Sequence, residues 1–258
     1  MKESQVLGPA ELFDLSGRTA YITGGSSGLG ARFVRVLAAA GAQVVVGARR
    51  ADRLAELYDS MDSVRWVACD VAEDQDRTRF LHGLGDLSHP PILVNNAAVA
   101  GPLAIADESP DQFSDLLRVN LTACYALARE MVEGVRDPRG TSIVNVSSIL
   151  GLVAGAPMGG AGYTASKAGL IGLTRELAAQ WGSAGVLVNA LAPGWFDTEM
   201  TGGLLNDDGG ARWIRRNTML GRPGAQGELD TALLLLASPR TSYLTGQVLT
   251  VDGGWTAR

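Results

Sequence analysis

The chain has 258 residues, 46% of them hydrophobic and 19% charged, which is enough to bury one sizeable core and too apolar for global disorder. A formal charge of −5 and an isoelectric point of about 5.1 argue against nucleic acid or an anionic membrane as partner, since both need a basic face. Residues 1–13 are polar and no stretch reaches the roughly 18 apolar residues of a membrane span, so a cytoplasmic protein is expected.

The first β-branched run, at 19–24, predicts a strand, and "TGGSSGLG" follows it to open a helix predicted over 28–40. Gly24, Gly28 and Gly30 permit a tight turn and let the backbone approach a pyrophosphate at a helix N-terminus, with Ser26, Ser27 and Leu29 between them. A second strand, 42–48, leads to a helix over 51–60. An acid at the end of that strand would accept hydrogen bonds from a ribose 2′-hydroxyl. Here Ala48 stands in that place, followed by Arg49 and Arg50. A guanidinium matches phosphate bidentately, which favours NADP(H) as the cofactor. NAD(H) is the alternative, with both arginines solvated at a helix start and Asp52 pairing with one of them.

A third strand, 64–69, ends at Asp70 and Val71. Asp70 either hydrogen-bonds adenine or caps the next helix, 73–84. The fourth strand, 91–96, closes on "NNAAV". Ala97 and Ala98 leave room beside a cofactor next to Asn96, while Asn95 either ties strand to strand or caps a helix. A long helix over 110–134 carries Asn120. A fifth strand, 141–147, runs into Ser147 and Ser148, and a helix over 161–182 follows. A sixth strand, 185–191, a helix over 225–237 and a seventh strand, 247–252, complete the chain. Strand–helix alternation, with several strands apolar on both faces, predicts a single-domain, doubly wound α/β fold with right-handed crossovers. The irregular stretch 193–224 reads as a substrate-binding lid. Its Trp195, Phe196, Met200, Leu204, Leu205, Trp213 and Met219 are expected to supply an apolar pocket wall. Arg212, Arg215 and Arg216 form either a solvated helix face or a contact for an acidic carrier protein or a phosphorylated substrate.

Cys69 and Cys124 have no ligand partner at metal spacing and read as buried small hydrophobes; His82, in a predicted helix, and His89, in a loop, lie outside any motif. No metal is expected. The chemistry lies in "GYTASKAG", where Tyr163 and Lys167 stand one helical turn apart. A nearby lysine favours the phenolate, so a tyrosine with an ordinary pKa of ~10 becomes able to exchange a proton with a carbonyl or alcohol oxygen. A serine at the end of "IVNVSS" is positioned to hold that oxygen.

Taken in order, "TGGSSGLG", "CDV", "NNAA", Asn120, "NVSS", "YTASK", "NALAPGWFDTEM" and "GQVLTVDGG" resemble the short-chain dehydrogenase/reductase family over about residues 14–254. The resemblance implies a Rossmann-type seven-stranded parallel sheet that binds a nicotinamide dinucleotide. It also implies a catalytic set. Tyr163 is the acid/base, Ser148 orients the carbonyl, Lys167 holds ribose and depresses the tyrosine pKa, and Asn120 holds a water in a proton relay. Pro193 and Gly194 shape a turn over the nicotinamide, and Thr198 meets its carboxamide. Family members often form tetramers, so a homo-oligomer, tetramer or dimer, is expected through 110–134, 161–182 and the last strand. Two departures stand out: "NNAA" replaces "NNAG", and Ser27 stands where many NADP-dependent members carry a basic residue. The expected activity is hydride transfer between a nicotinamide cofactor and a small-molecule ketone or alcohol. The alternatives are a 3-oxoacyl-carrier-protein reductase and a dinucleotide sensor without turnover.

Overall fold

In the computed structural model, residues 6–82, 84, 87–156, 159–202 and 207–257 are described. Seven parallel strands form one sheet: β1 (Thr19–Thr23), β2 (Gln43–Ala48), β3 (Val64–Ala68), β4 (Ile92–Asn95), β5 (Ser142–Val146), β6 (Leu187–Pro193) and β7 (Val248–Val251). Their order across the sheet is β3-β2-β1-β4-β5-β6-β7. Alternate residues feed opposite layers, as the two-residue period of a strand requires. Ala20 and Ile22 of β1 pack with Phe33, Val34 and Leu37 of helix α2 (Gly28–Ala39). Tyr21, between them, faces Phe80 at the end of α4 (Asp74–Phe80), edge to face at 5.7 Å. Each such buried aromatic contributes about 1.5–3 kcal/mol relative to exposure.

Further helices are α1 (Pro9–Leu12), α3 (Ala51–Tyr58), α5 (Pro110–Leu117), α6 (Ala123–Gly134), α7 (Ala161–Trp181), α8 (Asp208–Asn217) and α9 (Asp230–Ala237). A reciprocal cap starts α5. Gln112 N–H donates to Ser109 Oγ (3.2 Å), and Ser109 N–H donates to Gln112 Oε1 (2.8 Å), with proline at the first position. At the opposite end of the sheet from the site, the buried Arg18 guanidinium donates to the carbonyls of Pro90, Pro91, Gly140 and Ala237 at 2.8–3.1 Å. One side chain thereby joins the starts of β1 and β4, the turn before β5 and the end of α9.

Four predicted elements need correction. The helix expected over 110–134 is broken at Arg118–Thr122 by a turn of π-helix, which Asn120 occupies. The helix expected over 73–84 stops at Phe80, so His82 lies just beyond it and is exposed. The sixth strand runs two residues further, to Pro193, because it pairs with β7 up to Val251. The stretch 225–237 opens as a 3-10 turn, Gln226–Leu229, before α9. Within 193–224, α8 and a bridge between Phe196 and Gly224 supply local order. No described helix is long and apolar enough to cross a membrane, and no described group of acids, cysteines and histidines is arranged to hold a metal ion.

Candidate active site

Chain order reverses between β1 and β4, and the crevice beyond the carboxyl ends of strands lies at such a switch point. A cleft of about 1320 Å³, counted out to its open mouth, occupies this place. All of the sequence-predicted cofactor residues border it: Gly24, Ser26 to Gly30, Arg49, Arg50, Asp70, Val71, Asn96 to Ala98, Pro193, Gly194 and Thr198. Ser148, Tyr163 and Lys167 border it as well.

The glycine loop is held by β4. Asn96 Nδ2 donates to the carbonyls of Thr23 (2.9 Å) and Gly24 (3.2 Å), and Thr23 Oγ1 accepts the amides of Asn96 and Ala97. A side chain on Gly30 would place its Cβ 2.2 Å from the Gly24 carbonyl oxygen. Gly24 (φ 72°) and Gly28 (φ 52°) adopt the left-handed conformation that glycine tolerates. Ser27 precedes α2 without a side-chain cap, so the first amides of a 12-residue helix are left for an anion. This uncapped terminus, the absence of an acid at Ala48 and the paired arginines fit a dinucleotide phosphate. Asp70 does not cap α4. Its Oδ1 accepts the Ala72 amide at 3.0 Å in a local turn, and Glu73 precedes the helix.

Asn95 ties the sheet together, as one of its two readings expected. Its Nδ2 donates to Asn145 Oδ1 (2.9 Å), and Asn145 Nδ2 donates to Thr174 Oγ1 of α7 (2.9 Å). This buried ladder fixes α7 against β5. A second anchor lies at the start of α7, where both Glu108 carboxylate oxygens accept the Gly162 amide at 3.1 and 2.9 Å. Glu108 was not legible in the sequence, being 54 residues from its partner.

Ser147 Oγ donates to the Lys167 carbonyl (2.9 Å), and the neighbouring Ser148 hydroxyl is the one that acts on the Tyr163 phenol. Ser148 Oγ also accepts the Leu150 amide at 3.1 Å. Lys167 Nζ donates to the Val146 carbonyl at 2.8 Å and stands 5.7 Å from the centre of the Tyr163 ring. Burial pulls the lysine down to about 8. Burial also pushes the Tyr163 phenol above its usual value, against a smaller lowering by Ser148. The expected depression of the tyrosine by Lys167 is therefore not a property of the protein alone, where desolvation is the larger effect. Asn120 is fully buried. Its Oδ1 accepts the Val99 amide (2.9 Å), and its Nδ2 donates to the Val99 carbonyl (3.0 Å) and to Ser166 Oγ (3.1 Å).

The lid residues divide. Phe196 and Met200 border the cleft. Trp195 and Trp213 instead pack on Trp255 with ring centres 5.6 and 4.8 Å away, and Met219 is exposed. Leu204 and Leu205 lie outside the described residues. Cys69 and Cys124 are buried free thiols that desolvation raises to about 12 and about 11, so neither is a nucleophile.

A parallel sheet with a glycine-rich phosphate loop at its switch point, and a tyrosine, a serine and a buried lysine on one cleft, defines a dinucleotide-dependent oxidoreductase. A family model described as enoyl-(acyl carrier protein) reductase matches residues 24–256. The chain is 34% identical to 3-oxoacyl-acyl-carrier-protein reductase FabG of Rickettsia prowazekii (strain Madrid E) over 94% of its own length and 98% of the relative's. It is 36% identical to gluconate 5-dehydrogenase of Gluconobacter oxydans (strain 621H), covering 95% and 97%. The crystal structure of a gluconate 5-dehydrogenase from Burkholderia cenocepacia J2315, in complex with NADP and tartrate, superposes with a TM-score of 0.88 at 32% identity, covering 97% and 100%. The chain belongs to the short-chain dehydrogenase/reductase family, and it is an NAD(P)-dependent oxidoreductase of that family.

Proposed function

We propose that this enzyme is an NADP(H)-dependent oxidoreductase acting on a neutral, largely apolar ketone or the corresponding alcohol. The bound cofactor supplies or accepts the hydride. Tyr163 gives the proton to the carbonyl oxygen in reduction and takes it back in oxidation. Ser148 donates to the same oxygen and fixes its place. Lys167 holds the nicotinamide ribose, and its ammonium stabilises the phenolate when Tyr163 has given up its proton. Asn120 holds the water through which that proton is replaced. Its amide is committed to Val99 and Ser166, so this task falls to its main-chain carbonyl, which takes the weak Cys124 thiol donor at 3.4 Å.

The cofactor preference is supported by Arg49 and Arg50 beside Ala48. Arg49 is exposed at the cleft and makes no hydrogen bond with the described residues. The substrate class is carried by the distribution of charge. Among the described residues, the cations bordering the cleft are Arg49, Arg50 and Lys167. The arginines lie at the end of β2, three strand spacings or about 14 Å from β5 and its serines. Lys167 gives one N–H to Val146 and is assigned above to the nicotinamide ribose and the phenolate. Val99, Val119, Phe196 and Met200 also border the cleft and present no charge. A sugar acid would bring a carboxylate with no cation to meet it, which is costly in apolar surroundings. A 3-oxoacyl-carrier-protein reductase is the second reading, supported by Arg212 and Arg215, exposed on α8 within the lid. Assembly as a cytoplasmic dimer or tetramer, through α5–α6, α7 and β7, accompanies both readings.

Titration with NADPH and NADH, followed by nicotinamide fluorescence, tests the cofactor; NADPH should bind at least about tenfold more tightly. NADPH oxidation with a neutral alkyl ketone and with a keto-sugar acid tests the substrate. Equal affinities would remove the role of the arginines, and faster turnover of the acid would refute the neutral pocket.

A further inference from the structure

Arg50 lies immediately before α3, and four of its five guanidinium N–H donors are engaged. Nε donates to Ser26 Oγ (3.2 Å) and one terminal nitrogen to Ser27 Oγ (2.8 Å). The fork also grips Glu199, with Nη1 to Oε1 at 3.0 Å and Nη2 to Oε2 at 3.1 Å. Glu199 comes from the opposite side of the cleft. It follows β6 and sits in the turn closed by the Thr201 amide on the Thr198 carbonyl (3.1 Å). Phe196, buried three residues earlier, anchors that segment, and Thr198 Cβ lies 3.4 Å from where a Cβ on Gly28 would be. The ion pair therefore joins the lid to the glycine loop and to the end of β2.

A carboxylate is gripped here by an arginine fork and a loop hydroxyl, the same donors that would receive a 2′-phosphate. We propose that Glu199 is an internal occupant of the 2′-phosphate site, displaced by NADP and left in place by NAD, so that only NADP releases the lid segment after β6. The inference rests on the cofactor reading given above. The phosphate and the Glu199 carboxylate compete for the same Nη1–Nη2 fork, and a phosphate monoester carries more charge than a carboxylate, so the phosphate takes it. Arg50 and Ser27 hold the Glu199 carboxyl down at about 2, so it competes as an anion at any pH near neutrality. With NAD, the carboxylate stays beside the ribose and supplies the acid that Ala48 does not.

The test uses the full-length protein with 2′,5′-ADP and 5′-ADP as probes. Glu199→Gln should bind 2′,5′-ADP about two- to fivefold more tightly than wild type, the scale expected for removing an exposed competing ion pair, and 5′-ADP no more tightly. Hydrogen exchange at 197–202 should quicken in wild type on adding 2′,5′-ADP, but not 5′-ADP, and should already be fast in Glu199→Gln. Glu199→Asp, whose shorter chain loses the bidentate reach, should fall between them. Unchanged 2′,5′-ADP affinity in Glu199→Gln, or added protection of 197–202 in wild type, overturns the proposal. Arg50→Gln separates the two levels. If it leaves 2′,5′-ADP binding unchanged, Arg50 is not the phosphate site and the latch fails, and if Arg49→Gln added to it also changes nothing, the cofactor reading itself fails. If it weakens binding about tenfold while Glu199→Gln has no effect, the latch alone fails.

Discussion

Gly151 stands where the Ser148 loop crosses the catalytic helix, and Gly151→Ala should separate them. A Cβ there would lie 2.7 Å from both the carbonyl carbon and oxygen of Lys167, and 3.0 Å from the Ala168 nitrogen. All three are helix backbone atoms, so no side chain can swing aside. Ordinary contact begins at 3.4 Å, so the loop must retreat by about 0.7 Å. Overpacking of this kind costs about 1–3 kcal/mol, which lowers Tm by about 2–10 °C for a chain of this size. A shift approaching 1 Å between Ser148 and Tyr163 lowers kcat/KM by about ten- to a hundredfold. Steady-state NADPH oxidation and a thermal melt of the same preparation read both effects. A variant with wild-type Tm and activity within twofold would refute the claim that the close approach of Gly151 to α7 sets the Ser148–Tyr163 geometry.

Removing the Arg18 guanidinium by Arg18→Met takes a donor from four carbonyls, and of the two with fully buried bonds Pro91 keeps the Ser142 amide at 3.1 Å while Ala237 loses its donor. At about 1–3 kcal/mol for a buried unsatisfied acceptor, urea denaturation should show a loss of about 1–3 kcal/mol; a loss under about 0.5 kcal/mol would show that water replaces the clamp. Lys167 gives a pH signature. Burial holds it at about 8 in the fold against the ordinary 10.5, so between those values the unfolded chain binds the extra proton and stability rises with pH. Relative to Lys167→Met, wild type should gain about 2 kcal/mol from pH 8 to 9.5 in urea denaturation, and a flat difference would contradict a desolvated lysine.

All seven strands were legible to within about two residues, because both faces of the sheet are covered and the strands read as apolar runs. The glycine loop and the Tyr163–Lys167 pair were legible for a related reason, since each is local and ordered along the chain. What escaped was non-local. Nothing in "RVNLT" interrupts the helical period, yet the helix changes to a π-turn there as Asn120 pairs with Val99. The Glu108 anchor of α7 and the Glu199 grip on Arg50 join residues 54 and 149 positions apart, and no pattern of spacing announces either. The lid misled by composition. Its tryptophans suggested a pocket wall, but Trp195 and Trp213 turn to Trp255 at the C-terminus, a partner that the local pattern could not supply.

Tyr163 is the group proposed to move the proton. NADPH binding and single-turnover reduction of a neutral ketone, measured on wild type and Tyr163→Phe, test this directly. The variant should bind NADPH within about threefold of wild type and lose about 10²- to 10⁴-fold in rate, the usual contribution of a positioned acid/base. A variant that retains most of its reduction rate would contradict the assignment and move the proton donor elsewhere in the cleft.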